Sequence, residues 1–139
     1  MATYNKFNSF VEAVAEKKHN LGSDQLKVAL TNSAPVATNT VLADITEISY
    51  TNLSGATPLN ITTTSSSQTS GTYKLIVSDL TLTASGGNVG DFRYVVIYND
   101  TASNDELICW FDYGSSITLV SGETFNLDFD GVGGLLTIA

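Results

Sequence analysis

The sequence predicts a mainly β protein: an antiparallel β-sandwich or jelly-roll-like barrel with one short N-terminal amphipathic helix. Two adjacent runs, Phe92–Tyr98 and Leu107–Tyr113, are rich in β-branched and aromatic residues and follow no helical period. Short alternating runs punctuated by Gly and Asn fill most of the remaining chain. The composition agrees, with 42% hydrophobic residues, 14% charged residues and 11 glycines in 139 residues. Disordered tails have high charge and few aromatics, so that class is excluded. The length suits one domain, 1–139, with a helix or arm over 1–20 and a sandwich body over 24–139.

Taken in order, Tyr4–Lys18 predicts the helix. Phe7, Phe10, Val11 and Val14 fall at the i, i+3, i+4, i+7 spacing of one apolar stripe. Thr3 or Asn5 can cap its start, and Asn20-Leu21-Gly22 can stop it. The stripe either packs on its own sandwich or docks on another subunit, which makes Phe7, Phe10, Val11 and Val14 the candidate protein contacts. Gln25–Thr31 alternates like a half-buried strand, 32–40 is a loop containing Pro35, and 41–48 reads as a helical turn. Ile61–Gly71 is nearly all Ser and Thr, an edge strand running into a mobile loop. Tyr73–Ala84 is one long strand or two bent at Ser78-Asp79, and 85–90 is a turn.

The central hairpin follows. Its first run sets Phe92, Tyr94, Val96 and Tyr98 against Arg93, Val95 and Ile97. Its second sets Leu107, Cys109 and Phe111 against Ile108 and Trp110. A strand apolar on both faces is covered on both faces, so Cys109 and Trp110 are expected to be at least partly buried. Gly114-Ser115-Ser116 reads as a turn before a short strand at 117–120. Residues 123–130 place Phe125, Leu127 and Phe129 on one face and Thr124, Asn126, Asp128 and Asp130 on the other, and 135–138 is the last strand.

The residues supply little chemistry. The lone histidine, His19, sits in the KKHN helix end, where the helix dipole explains it. No Ser-His-Asp or Cys-His set assembles, and no enzyme is read here. Cys109 reads as a buried, inert thiol, and a single cysteine excludes an intrachain disulfide. Asp128 and Asp130 share a strand face and carry hard oxygen ligands, but the remaining ligands of a calcium loop are missing, so a solvated polar face is the better reading. Gly131–Gly134 opens no helix and is no dinucleotide loop. Tyr94, Tyr98, Trp110 and Tyr113 make a sugar or base platform or core packing, and their apolar neighbours favour the core. No cofactor and no metal is implied.

Net charge is −8 and uneven: residues 1–27 carry four lysines against three acids, and residues 28–139 carry two basic residues against eleven acids. Such a body is repelled by nucleic acid and anionic lipid, so neither is expected as a partner. The first residues lack the apolar stretch of a signal peptide and no run reaches membrane-span length. The expectation is a product that stays where it is made or leaves by lysis.

Two stretches resemble a known family. They are YNKFNSFVEAVAEKKHNLGSDQLKVALTNSAPVATNTVLADITEI (4–48) and FRYVVIYNDTASNDELICWFDYGSSITLVSGETFNLDFD (92–130). Together they resemble small structural proteins of tailed bacteriophages; the Ser/Thr segment between them is unmatched. The resemblance implies a non-enzymatic virion component with a sandwich or jelly-roll body, made in the host cytoplasm and placed on the outer capsid surface as a decoration (cement) protein. Its implied partners are the major capsid protein and copies of itself, as a trimer. A tail or baseplate component with a receptor- or carbohydrate-binding role is the alternative. The family pattern carries no active-site residues to transfer.

Overall fold

A computed structural model describes residues 2–139. Among these described residues nine strands form, β1 (Thr3–Lys6), β2 (Leu26–Thr31), β3 (Thr63–Thr69), β4 (Thr72–Val77), β5 (Leu80–Thr83), β6 (Val89–Asn99), β7 (Leu107–Leu119), β8 (Thr124–Leu127) and β9 (Leu136–Ile138). One helix, α1 (Ser9–Ala15), and one 3-10 turn, Leu42–Asp44, complete the regular structure. The sheets are ordered β1-β7-β6-β2, β3-β4-β9 and β5-β8, and every pairing is antiparallel. The mainly β class with one short helix is therefore the observed one.

One apolar core joins all three sheets. Leu26, Val28, Leu30, Phe92, Val95, Ile97 and Cys109 on the four-stranded sheet meet Leu75, Val77, Leu82, Leu127 and Leu136 on the smaller two, a sandwich-like arrangement. The opposite face of the four-stranded sheet is also apolar. Ala29, Val96, Tyr98 and Leu107 are buried there with Phe7, under Leu42, Ile45 and Trp110. The predicted double-sided burial of the hairpin is thus met on one side by the sandwich and on the other by irregular chain.

The facing of side chains departs from strict alternation in two places. Phe92 joins the core of Val95 and Ile97, because the β6–β7 register shifts between Phe92 and Tyr94. Ile108 shares a cluster with Cys109, while Leu107 sides with Trp110, because Ile97 faces Cys109 and Tyr98 faces Leu107, leaving Ile108 as the extra residue. A bulge inserts one residue and so flips the parity that alternation relies on.

Gly114–Ser116 is not a turn. Tyr94 faces Asp112 and Phe92 faces Ile117, so two steps on β6 match five on β7, and the strand continues through the excess to Leu119. Gly114 adopts φ +100°, a conformation that favours glycine. The Ser/Thr segment is the expected edge strand, but it runs into a tight turn and not a mobile loop. It forms β3 and turns into β4 through Ser70-Gly71, both at positive φ (+50° and +84°), as a two-residue hairpin of the primed type. The bend at Ser78-Asp79 is present, and the Asp79 carboxylate accepts the Phe129 backbone N–H at 2.9 Å.

The N-terminal helix is shorter than its sequence pattern suggests. Tyr4–Lys6 pairs along β7 instead, with Tyr4 opposite Phe111 and Lys6 opposite Cys109. The edge of a long strand offers this segment more backbone bonds and an aromatic contact, Tyr4 against Phe111 at 5.6 Å, than one extra helical turn would. At the other end Lys17 is left-handed (φ +69°) and the Lys18 N–H donates to Ala13 O at 2.8 Å, which closes the helix before Asn20.

Candidate interaction surfaces

The four candidate contacts do not form one exposed stripe. Phe7 precedes the helix and is 0% exposed, packed on Trp110 with ring centroids 4.6 Å apart. Phe10, one turn on, is buried in the sandwich core beside His19 at 5.5 Å. Val14 is half-buried against that core, and Val11 alone is exposed, at 54%. The segment from Phe7 to Phe10 therefore passes from one face of the four-stranded sheet to the other, and its apolar side chains serve this chain's own cores. Of the four, Val11 is the one open to a partner. Ala13, off the predicted stripe, is buried in its place.

His19 is a buried residue, not a surface group beside the helix end. Its Nδ1 lies 3.0 Å from Asn99 Nδ2, and that amide also donates to Asp24 Oδ2 at 2.6 Å. Asn99 itself is fully buried at the end of β6, and its Oδ1 accepts the N–H groups of Thr101 (3.0 Å) and Ala102 (3.2 Å). Asp24 Oδ2 further accepts the Asn20 N–H at 2.7 Å. Glu106, buried opposite, accepts the Asn104 N–H (3.3 Å) and side-chain amide (3.4 Å) on its carboxylate, and its backbone carbonyl accepts the Asn99 N–H at 3.0 Å. Burial pushes the His19 imidazole below its ordinary range, against the opposing pull of Glu106 and Asp24. Because the amide can only donate, Nδ1 is the acceptor, and Nε2 is buried without a partner among the described residues.

This cluster ties the end of α1, the 20–24 loop and both ends of the 99–106 connection together. A shallow cleft of about 380 Å³ lies alongside, lined by Lys17, Lys18, Asp24, Thr101, Asn104 and Glu106. Ser103 also lines it. Sequence reading missed the cluster because its members are spread from position 19 to position 106; the one signal was an unpaired polar Asn at the end of an apolar run.

Comparison with protein-family models, with curated proteins and with solved structures returns no match.

The remaining candidates resolve as follows. Cys109 is 0% exposed, and burial pushes its thiol far above the ordinary range, so it is no nucleophile as folded. Asp128 and Asp130 are exposed; Asp130 Oδ1 accepts the N–H groups of Val132 (2.8 Å) and Gly133 (2.6 Å), which closes the turn and holds its carboxyl below the ordinary range. Among the described residues no group of three or more His, Cys, Asp or Glu is placed to hold a metal ion, and no helix is long and apolar enough to cross a membrane. The tyrosines do not share a platform: Tyr98 is buried, Tyr94 lies under the Arg93 guanidinium at 5.3 Å, and Tyr113 is half-exposed edge-on to Phe125 at 5.4 Å. Arg93 grips Asp112 with two bonds, 2.8 and 3.0 Å, and Asp112 also accepts the Gly114 N–H at 2.8 Å, so the pair braces the start of the β7 bulge.

Proposed function

We propose that this chain is a non-enzymatic structural protein of a tailed-phage virion, a decoration protein on the outer capsid surface that binds the major capsid protein. The resemblance of residues 4–48 and 92–130 motivates the reading. The structural observation that supports it best is the mainly β, sandwich-like body with one short helix, the architecture that the resemblance implies. A body with eleven acids against two basic residues after position 27 gains little from charge unless its partner is basic. Its binding free energy then comes from apolar and hydrogen-bonded contact, summed over many copies. Phe7 and Phe10 are taken by the chain's own cores, so the apolar contact falls to exposed side chains such as Val11, Val36, Val120 and Val132.

Imaging of intact particles with the protein bearing a small density label tests this. Label distributed over the whole shell is the expected result. Label confined to the tail or a single vertex would overturn the capsid reading in favour of the tail alternative, and its absence from particles would overturn the virion reading altogether.

A further inference from the structure

Strand edges in folded proteins are normally protected by shortness, charge, proline, a bulge or a covering segment. Most edges here follow that rule. β1 has four residues and ends in Lys6. The outer edge of β2 is covered by residues 59–61, where the Val28 N–H donates to Leu59 O and the Ile61 N–H to Leu26 O, both at 2.9 Å. β9 has three residues, and β8 has four and runs into Asp128. β5 is flanked on its far side by the Ser54 N–H, which donates to Thr83 O at 2.8 Å.

β3 is the exception. It has seven residues with no charge and no proline, and it ends its sheet. Its single irregularity lies at the start, between Thr63 and Ser65, so Ser65–Thr69 is regular strand. Among the described residues, no backbone bond reaches 63–69 except from β4. In a two-residue hairpin the pair flanking the turn, here Thr69 and Thr72, exchanges both its bonds. Alternation then directs the N–H and C=O of Ser66 and Gln68 away from β4, into solvent.

We propose that β3 is a seam at which two copies of this chain pair edge to edge, antiparallel, across a two-fold axis at Ser67. That register sets Ser66 opposite Gln68 of the second copy, and the reverse, so that both outward pairs form ladder bonds. It closes at two copies, because the same edge is used by both; it is distinct from the three-fold clustering that the family resemblance implies.

Charge selects a second copy as the occupant. Two chains of net charge −8 repel over most of their surface, but residues 48–73 contain no charged residue, the longest such run in the sequence, and β3 lies within it. Approach through this window brings no like charges face to face. Lys74 sits opposite Ser67 one strand back, with its Nζ donating to Val132 O at 2.9 Å. Its mate across the axis is three strand spacings away, about 14 Å, beyond the ~8 Å screening length at physiological salt. The side chains brought together are Ser, Thr and Gln, so the contact is polar and small, with a Kd of roughly 10 μM to 1 mM.

Sedimentation equilibrium of the purified protein across that range tests the seam without reference to any virion role. Wild type is expected to pass from monomer to dimer. Ser66→Pro removes an outward N–H without touching the β3–β4 ladder, and Ser67→Lys sets two like charges on the axis. Both are expected to raise Kd by about tenfold or more with unchanged circular dichroism, and about 1 M salt should restore part of the Ser67→Lys dimer. Should Ser66→Pro not fold, Ser67→Lys and its salt response decide alone. A wild type that stays monomeric throughout, or variants that dimerise as wild type does, would overturn the seam. A monomeric wild type whose Ser67→Lys variant fails to bind shells would also overturn it and give the edge to a strand of the shell.

Discussion

In the β6–β7 hairpin the residues Val95–Asn99 are buried in succession, whereas in β3 of the neighbouring hairpin no residue is buried. Both hairpins are antiparallel and both ladders carry a register shift, so the kind of backbone pairing does not distinguish them. What differs is where each gains its stability. β6 is flanked by β7 and β2 and buries side chains on both faces. β3 is held by its ladder to β4, by a Ser66–Tyr73 hydroxyl contact at 2.8 Å and by Thr64 Oγ1 donating to Ile76 O at 3.2 Å, while Leu75 and Val77 of β4 do the burying. A strand can thus be ordered by a neighbour's hydrophobic residues and leave its own sequence free for another task.

The contrast is sharpest under truncation. Phe92 is 0% exposed and meets Phe125 edge-on at 5.6 Å. Phe92→Ala is expected to cost about 3–5 kcal/mol in urea unfolding, the range for emptying a large aromatic site. A loss as small as that of an exposed residue would break the distinction between the hairpins.

The polar end of β6 provides a second, smaller effect, read by pH. His19 is held below its ordinary value near 6.5, so between that value and its folded one the unfolded chain binds more protons. Its contribution is fully present above pH 6.5 and is lost as the pH falls from 6.5 toward the folded value. The carboxylates of Asp44, Asp112 and Asp130, all held below their ordinary 3.8, act only further down. Stability measured between pH 7.5 and 5 should therefore decline with acid in wild type and flatten in His19→Gln. Equal slopes would show that His19 is not the group responsible.

The smallest effect belongs to β3. Ser67 is exposed on both counts, by side chain and by position, and Ser67→Ala in dilute protein should alter stability by less than about 0.5 kcal/mol. A larger loss would mean that β3 contributes to the fold more than its ladder.

The β class was legible because most strands here keep a period of two and their turns carry Gly, Asn or Ser. β8 and its extension follow the reading residue by residue, with Leu127 and Phe129 buried and Thr124, Asn126, Asp128 and Asp130 exposed. Parity failed where the chain holds more residues than its partner, at Ile108 and again at 113–116, since a bulge depends on the opposite strand and leaves no local pattern. The helix was overextended because Tyr4–Lys6 suits an edge strand as well as a helix, and the choice was made by β7, a hundred residues away. Phe7 and Phe10 lie on the apolar stripe and both are buried, but periodicity cannot say which body such a stripe enters. The cluster around Asn99 was out of reach for a similar reason: hydrogen bonds join its members, and spacing does not.

Residues 32–88 separate β2 from the strand it pairs with. During synthesis, at about 5–20 residues per second, the apolar β2 waits roughly 3–11 s for β6 to be made. β1 waits longer, for β7. The two central strands, in contrast, are joined by a short connection and can zip as soon as both exist. Until then β1 and β2 lack the strands they pair with, and Leu26, Val28 and Leu30 are among the apolar residues a ribosome-associated chaperone would meet. The order in which the strands are encoded thus assigns the fragile interval of this protein's life to its first thirty residues, which still await their partner strands when the exposed β3–β4 hairpin has already been made.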